Sequence, residues 1–149
     1  MLTIKDYPVG RINRFGRYEM TREEVLEFAE RFDPQPFHLN EAAAAANPIF
    51  GRIAASGWHT VSATMRMIVD HGKQYGGHSL GGASVDELRW LKPVYPGDIL
   101  SAENEVIAVN APKSRTDIAF VKLKTTTYNQ NDEAVMTMFA NIIVSSGQP

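Results

Sequence analysis

The amino-acid sequence predicts an α+β fold in which one long central helix is wrapped by a curved antiparallel sheet. Helical patterns with capping residues and proline stops occupy the first half of the chain, up to Gly72. From Gly82 onward the residues have the composition and alternation of strands, separated by turns rich in Pro, Gly, Asn and Asp. Helices and antiparallel strands that are segregated along a chain are typical of the α+β class. No repeat or linker divides the sequence, so we expect residues 1–149 to form a single domain.

The composition limits the partners that we expect. Of the 149 residues, 44% are hydrophobic, which is enough for a core, and the formal net charge is only −2. Without a basic patch, nucleic acid is not an expected partner. No apolar run approaches the roughly 20 residues that cross a bilayer, and no signal peptide is apparent, so we expect a cytoplasmic protein with no membrane partner. The absence of cysteine excludes disulfides and zinc–thiolate sites.

The first helix is expected to begin after Thr21 and to end near Arg31. Thr21 and Glu24 have the spacing of a capping box, in which the hydroxyl and the carboxylate each accept a backbone N–H. The helix should stop before Asp33-Pro34, because proline disfavours the α conformation of the residue that precedes it.

A second, short helix is expected over Ala42–Ala46. Asn40 is a good N-cap, and Glu41 suits the positive end of the helix dipole. The pair Asn47-Pro48 should end this helix.

A third, long helix should start at Ser56-Gly57 and run towards Gly72. At about 1.5 Å per residue its roughly 16 residues would span about 24 Å, long enough to cross a small sheet. Its apolar residues cover more than one face, which predicts a buried helix with Met65 in the core. These residues are Trp58, Val61, Met65, Ile68 and Val69.

The second half of the chain predicts a meander of three or four strands. Alternation is clearest over Ile118–Tyr128, as in a half-buried antiparallel strand. We expect Trp90, in the first strand, to lie in the core. The predicted strands are Val85–Leu91, Ile99–Val109, Ile118–Tyr128 and Val135–Val144.

The segment Asp33-Pro34-Gln35-Pro36-Phe37-His38 holds the most informative polar residues. Two prolines restrict the backbone between a carboxylate and an imidazole, so the separation of Asp33 and His38 is set before a ligand binds. Such a pair can move protons to and from one water molecule near neutral pH. Spacing alone leaves a structural alternative open, in which Asp33 caps a turn and His38 caps the next helix.

The start of the long helix is the second candidate site. A glycine there leaves backbone N–H groups unpaired and places no Cβ in the way of a ligand, so the Gly57 N–H could bind an oxyanion. The alternative is that Ser56 only caps the helix and Gly57 only eases packing. We expect His59, two residues further on, to be a packed imidazole. His71 and His78 are not paired with carboxylates at ligand spacing, so no metal site is expected.

Three segments resemble the MaoC-like family of acyl dehydratases and (R)-specific enoyl-CoA hydratases. Asp33–Ala43 is similar to the hydratase signature, and Ile53–Thr60 is similar to the head of the central helix in this hot-dog fold. Leu88–Asp98 resembles the strand and Pro-Gly-Asp turn that follow in these proteins. The segments lie in family order within residues 15–145, and this ordered combination is more specific than any one of them.

The resemblance implies reversible hydration of a trans-2-enoyl thioester to an (R)-3-hydroxyacyl thioester. Asp33 would deprotonate the attacking water, His38 would position it and help to deliver a proton to C2, and the Gly57 N–H would stabilise the enolate. Ser56 would support the site, and Trp58 would line it. The resemblance further implies an acyl-CoA or related thioester as substrate, no cofactor, and a homodimer or higher homo-oligomer.

Two residues depart from the family pattern. Gln35 stands where many of these hydratases have Asn, and Phe37 stands where a branched aliphatic residue is usual. Gln35 keeps the amide but reaches one methylene further, so the water geometry and the substrate at this site are open. Two alternatives remain: a hot-dog thioesterase, in which Asp33 activates water against the thioester carbonyl, and a non-catalytic subunit that binds acyl thioesters.

Overall fold

A computed structural model describes residues 1–148, which contain five strands. The strands are β1 (Ile12–Glu19), β2 (Gly81–Trp90), β3 (Ile99–Asn110), β4 (Ile118–Tyr128) and β5 (Ala134–Ser145). They form one antiparallel sheet with the order β1-β3-β4-β5-β2. The predicted meander is confirmed by β3, β4 and β5, whereas β1 was not predicted. Charged residues interrupt the apolar alternation of β1, which lies at the sheet edge and is mostly exposed.

The three predicted helices are present, together with one short helix that was not predicted. The additional helix begins at a proline, whose fixed φ suits a first helical position. A 3-10 turn, Ile4–Asp6, precedes β1. The α-helices are α1 (Arg22–Phe32), α2 (Pro36–Leu39), α3 (Glu41–Ala46) and α4 (Gly57–Gln74).

The helix caps agree with the sequence except for half of the capping box. The Thr21 hydroxyl accepts the Glu24 N–H, but the Glu24 carboxylate accepts the Tyr18 hydroxyl instead of the Thr21 N–H. A carboxylate prefers the stronger O–H donor that the folded chain brings to it, and this donor lies on β1. Asn40 accepts the Ala43 N–H, as expected of an N-cap.

The long helix α4 is not buried on all sides, which corrects the sequence-based expectation. One face packs against the sheet, and its buried residues include Ala63, Thr64 and Met67. On the other face Trp58 is 57% exposed, and Met65 and Val69 are also exposed. The sheet covers only one side of the helix, so the apolar residues on the other side have no partner within residues 1–148.

A small apolar cluster around Val121 and Val144 packs against Ile4 and Tyr7, and the main core lies between α4 and the sheet. It contains a buried polar contact, in which the hydroxyls of Thr64 and Thr127 lie 2.7 Å apart. The Thr64 hydroxyl also donates to the carbonyl of Thr60 within α4, so the contact with Thr127 joins α4 to β4. The largest fully buried apolar side chains are Met20, Leu100, Met136, Val25, Val121, Val135 and Val144.

Residues 33–56 connect α1 to α4 and carry the candidate site. Ala55 anchors this segment, because its N–H donates to the carbonyl of Val94 over 2.7 Å. The turn that contains Val94 is closed by Asp98, whose carboxylate accepts the Tyr95 N–H at 2.9 Å. The segment that leads into α4 and the predicted Pro-Gly-Asp turn are therefore in contact. Within residues 1–148, no helix has the length and apolar character needed to span a bilayer.

Candidate active site

Asp33 stands at the C-cap of α1 and is held there by two side-chain donors. The Ser56 hydroxyl donates to Oδ2 over 2.7 Å, and the Gln35 amide donates to Oδ1 over 2.6 Å. Burial alone raises the pKa of Asp33, but the hydrogen bonds from Gln35 and Ser56 and the neighbouring His38 outweigh it and hold this pKa below its ordinary value. Asp33 is therefore a carboxylate with a fixed orientation at neutral pH.

His38 is 4% exposed and has one fixed tautomer when it is neutral. Its Nδ1 lies 2.6 Å from the carbonyl oxygen of Ala54, which can only accept, so Nδ1 carries the proton. Its Nε2 faces Oδ2 of Asp33 at 3.2 Å. A neutral His38 thus presents a lone pair beside a carboxylate, and the contact becomes favourable when a proton is held between the two groups. This arrangement can take up and release a proton at one defined atom.

Phe37 packs behind the imidazole and does not line the candidate cavity. Its ring is 4.5 Å from the ring of His38 in an edge-on arrangement and stacks on Phe50 at 5.0 Å. It also packs against the main core. The bulkier ring at this position therefore restricts the orientation of His38 from the side opposite to solvent.

Gly57 is the first residue of α4, and its N–H makes no hydrogen bond within residues 1–148. Ser56 precedes it as the N-cap and accepts the Trp58 N–H at 3.3 Å. The free N–H lies at the positive end of an 18-residue helix, where negative charge is favoured. The Ser56 hydroxyl thus caps the helix and also donates to Asp33.

A cavity of about 390 Å³ opens over these groups. Five of the seven residues predicted for the site line it: Asp33, Gln35, His38, Gly57 and Trp58. Phe37 and Ser56 lie behind its wall. Residues that were not among the seven complete the lining: Ile49, Phe50, Ala55, Thr60, Trp90, Leu91, Lys92, Pro93 and Val94.

Trp90 corrects a second sequence-based expectation, since it belongs to the cavity wall and not to the core. It is 46% exposed, and its Nε1–H donates to the carbonyl of Gly57 over 2.9 Å. Its ring meets the ring of Trp58 edge-on at 5.2 Å. No local pattern signals this contact, because it joins the end of β2 to the start of α4. The resemblance at Leu88–Asp98 marked the segment but assigned it no role in the site.

His59 is the packed imidazole that the sequence predicts. It is buried on α4 and stacks on Phe28 of α1, with the ring centroids 4.7 Å apart. Desolvation lowers the pKa of His59, although the nearby Glu24 carboxylate opposes this. Its Nδ1 is buried without a hydrogen-bond partner in the described residues, which disfavours the charged form of the ring.

Comparison with known proteins places this geometry in a family. Residues 8–133 match the family described as the MaoC-like domain. The crystal structure of the MaoC-like dehydratase from Rhodospirillum rubrum is 39% identical, with a TM-score of 0.90 over 100% of this chain and 99% of that chain. The (R)-hydratase from A. caviae involved in PHA biosynthesis is 27% identical, with a TM-score of 0.69 over 92% and 96% of the two chains.

The sequence comparison extends over nearly the whole length of a bacterial relative. The YdeM protein of Bacillus subtilis (strain 168) is 26% identical over 143 residues, which cover 96% of this chain and 99% of that protein. The family match, the shared fold and the order of the three motifs agree. The chain therefore belongs to the MaoC-like family, whose solved members include hot-dog dehydratases and (R)-hydratases.

Proposed function

We propose that this protein hydrates a trans-2-enoyl thioester to an (R)-3-hydroxyacyl thioester, and catalyses the reverse dehydration. The observation that carries the proposal is the Asp33–His38 pair, 3.2 Å apart, at a cavity that also contains the free N–H of Gly57. An acid/base pair and an oxyanion donor are the two elements that addition of water to an enoyl thioester requires.

In this mechanism a water molecule lies between the dyad and C3 of the substrate. Asp33 takes one proton from the water as its oxygen forms the bond to C3, and negative charge moves through C2 to the thioester oxygen. The Gly57 N–H donates to that oxygen. The dyad then returns one proton to C2 through Nε2 of His38, so the C=C bond gains H and OH and the pair regains its starting state.

In this mechanism the amide of Gln35 orients Asp33 and does not bind the reacting water. Its Nε2 donates to Oδ1 of Asp33, so the longer side chain folds back onto the carboxylate. This leaves Oδ2 as the oxygen shared by Ser56 and His38 and directs it towards the imidazole. We assign Gln35 to the orientation of Asp33, with Trp58 as a wall for the acyl thioester.

The substrate that we propose is an acyl-CoA or a related acyl thioester. The (R)-hydratase of A. caviae, at 27% identity, is a precedent for hydratase chemistry on this fold. No cofactor takes part in the proposed reaction, because proton transfer and oxyanion stabilisation account for every bond that changes.

The deciding experiment follows the loss of enoyl absorbance with crotonyl-CoA and longer trans-2-enoyl-CoAs. Asp33→Asn and His38→Gln should each lower kcat/KM by roughly 10²-fold or more, because each removes one proton-transfer group. Matched controls are Asp70→Asn and His78→Gln, on the exposed part of α4 and on the following loop, which should retain full activity. If the folded wild type hydrates no enoyl-CoA but releases free thiol from acyl-CoA, the protein is a thioesterase. Acyl-CoA binding with neither reaction would identify a binding subunit.

We also propose that the protein is a homodimer that pairs the free edges of β2. Among the residues that the structure describes, this strand pairs only with β5, which leaves its other edge unpaired there. Trp58, at the start of the exposed face of α4, contacts Trp90 at the end of β2, so the helix face and the strand edge form one surface. Exposed apolar residues follow this surface: Trp58, Met65, Val69, Val85, Trp90 and Leu91. Unpaired strand edges and exposed apolar surface favour association with a second chain.

Sedimentation tests the dimer. Val85→Lys should shift the protein towards a monomer, whereas Ile12→Lys, an equally drastic change on the opposite edge strand β1, should not. A wild type that sediments as a monomer while it is active would contradict the proposal.

A further inference from the structure

The indole of Trp90 lies directly against Gly57, which is far from it in sequence. The Nε1–H of Trp90 donates to the Gly57 carbonyl over 2.9 Å. A Cβ added to Gly57 would lie 2.4 Å from Cε2 and 2.5 Å from Nε1 of the indole. Cβ atoms do not come this close to other heavy atoms, so the present position of the indole excludes any side chain at residue 57.

The backbone conformation does not explain why residue 57 is glycine. Its φ lies outside the positive range in which other residues are strained, unlike that of Gly51 or Gly97. Alanine would also keep the N–H that the proposed mechanism uses, since every residue except proline has one. A Cβ at residue 57 would, however, be incompatible with the close contact with Trp90.

The contact holds the first turn of α4 in place. Trp90 closes the end of β2, so a hydrogen bond from its indole ties the start of the helix to the sheet. The ring is supported on its other side by Trp58, whose ring meets it edge-on with an interplanar angle of 82°. Both rings line the cavity, so the same indole holds the oxyanion glycine and forms part of the wall.

We propose that Trp90 is a positioning residue that fixes Gly57, and that Trp90 is the reason why residue 57 is glycine. The catalytic half of this inference rests on the proposed hydratase function. An oxyanion donor contributes most when its direction is set before the charge develops, so a first turn that is free to shift stabilises the enolate less. The loss should therefore appear in kcat more than in KM.

The test compares Trp90→Phe, Trp90→Ala, Gly57→Ala and the double variant Gly57→Ala/Trp90→Ala, with enoyl-CoA as substrate. Trp90→Phe keeps an aromatic wall but loses the N–H donor, and should lower kcat by about tenfold with KM within about twofold, the size expected for one hydrogen bond. Tyr75→Phe, at the exposed far end of α4 and outside the cavity lining, is the control for loss of an aromatic donor and should change kcat by less than about threefold.

The double variant shows whether Trp90 or the substrate is the group that leaves no room for a Cβ at residue 57. Gly57→Ala should lower kcat by roughly 10²-fold, and adding Trp90→Ala should recover at least about tenfold, because the space taken by the indole becomes free. If the two losses multiply instead, the alanine Cβ obstructs the substrate and Trp90 does not determine the glycine.

Thermal unfolding of the same variants supplies a readout that does not depend on turnover. Gly57→Ala should lower Tm by about 5 °C or more in the wild type and by less than about half of that in the Trp90→Ala background. If this coupling is present but no variant hydrates an enoyl-CoA, the packing relationship stands and the hydratase function fails. Independent Tm shifts would overturn the inference whatever the activity.

Discussion

The hydroxyl of Ser56 lies 2.7 Å from Oδ2 of Asp33 and donates to it, while its oxygen accepts the Trp58 N–H at the start of α4. One buried side chain thus connects the positive end of the helix to the carboxylate of the dyad. The first turn of α4, which carries the oxyanion donor, is therefore linked to the base through one oxygen atom.

Ser56→Ala should lower both stability and activity. Loss of the N-cap costs about 1 kcal/mol, and loss of one donor to Asp33 should reduce kcat/KM by roughly tenfold. The matched control is Thr21→Ala, which removes the N-cap of α1 and leaves the Asp33 contacts in place. Both variants should show a similar fall in Tm, and only Ser56→Ala should lose activity. Equal activities would mean that the bond to Asp33 has no catalytic effect.

Asp33 should contribute an acid-dependent part of the stability. Its pKa in the folded state is held below the ordinary value of 3.8, so the unfolded chain takes up its proton first as the pH falls. The stabilisation is fully present above the ordinary pKa and is lost as the pH falls through the lower, folded-state value. Urea unfolding between pH 2.5 and 7, compared with Asp33→Asn, isolates this contribution. The difference between the two proteins should shrink below about pH 4. A difference that is constant across this range would contradict the lowered pKa.

His59 should make the fold sensitive to mild acid. Its pKa is lowered from 6.5 in the folded state, so between these two pKa values the unfolded chain binds more protons than the folded chain. The free energy of unfolding should therefore fall as the pH drops below 6.5 and level off beneath the folded-state pKa. Unfolding curves for His59→Gln should show a smaller slope in this window.

The buried Thr64–Thr127 contact should be coupled in a double-mutant cycle. Thr64→Val leaves the Thr127 hydroxyl buried without this partner, which costs about 1–3 kcal/mol. When Thr127→Val is added, both polar groups are gone, so the double variant should be more stable than the sum of the single losses predicts. Urea unfolding measures the coupling. Neither residue belongs to the dyad, and additive losses would show that the hydroxyls do not stabilise each other.

The strands and helices with regular local patterns could be predicted from the sequence, and the missing elements have physical reasons. The strand Ile118–Tyr128 is found with the bounds expected from its alternation. The edge strand β1 was missed because its side chains are mostly exposed on both faces, so its sequence lacks the alternation of apolar and polar residues that indicates a strand. The outer face of α4 was assigned to the core because its residues are apolar. Apolar character indicates that a surface is covered, but it does not say whether the same chain or another molecule covers it.

The candidate site divides in the same way. Asp33 and His38 are five positions apart on a segment stiffened by proline, so their proximity is a local property that the sequence displays. Trp90 reaches Gly57 only through the pairing of β2 with β5, and no local pattern encodes that distance. The placement of Phe37 behind the imidazole is likewise a result of packing, since the same ring could have faced the cavity.

The bond from Nδ1 of His38 to the carbonyl of Ala54 ends in the main chain, and this has an evolutionary consequence. Every amino acid presents the same carbonyl, so no substitution at residue 54 can delete the acceptor that selects the tautomer. Mutation can reach it only by moving the backbone. Substitution at residue 54 therefore does not change which nitrogen of His38 carries the proton. The Gln35 and Ser56 bonds to Asp33, in contrast, depend on side chains that a single codon change removes. We expect members of the family to differ in specificity through the residues that bond to the Asp33 carboxylate, whereas the tautomer of His38 stays the same.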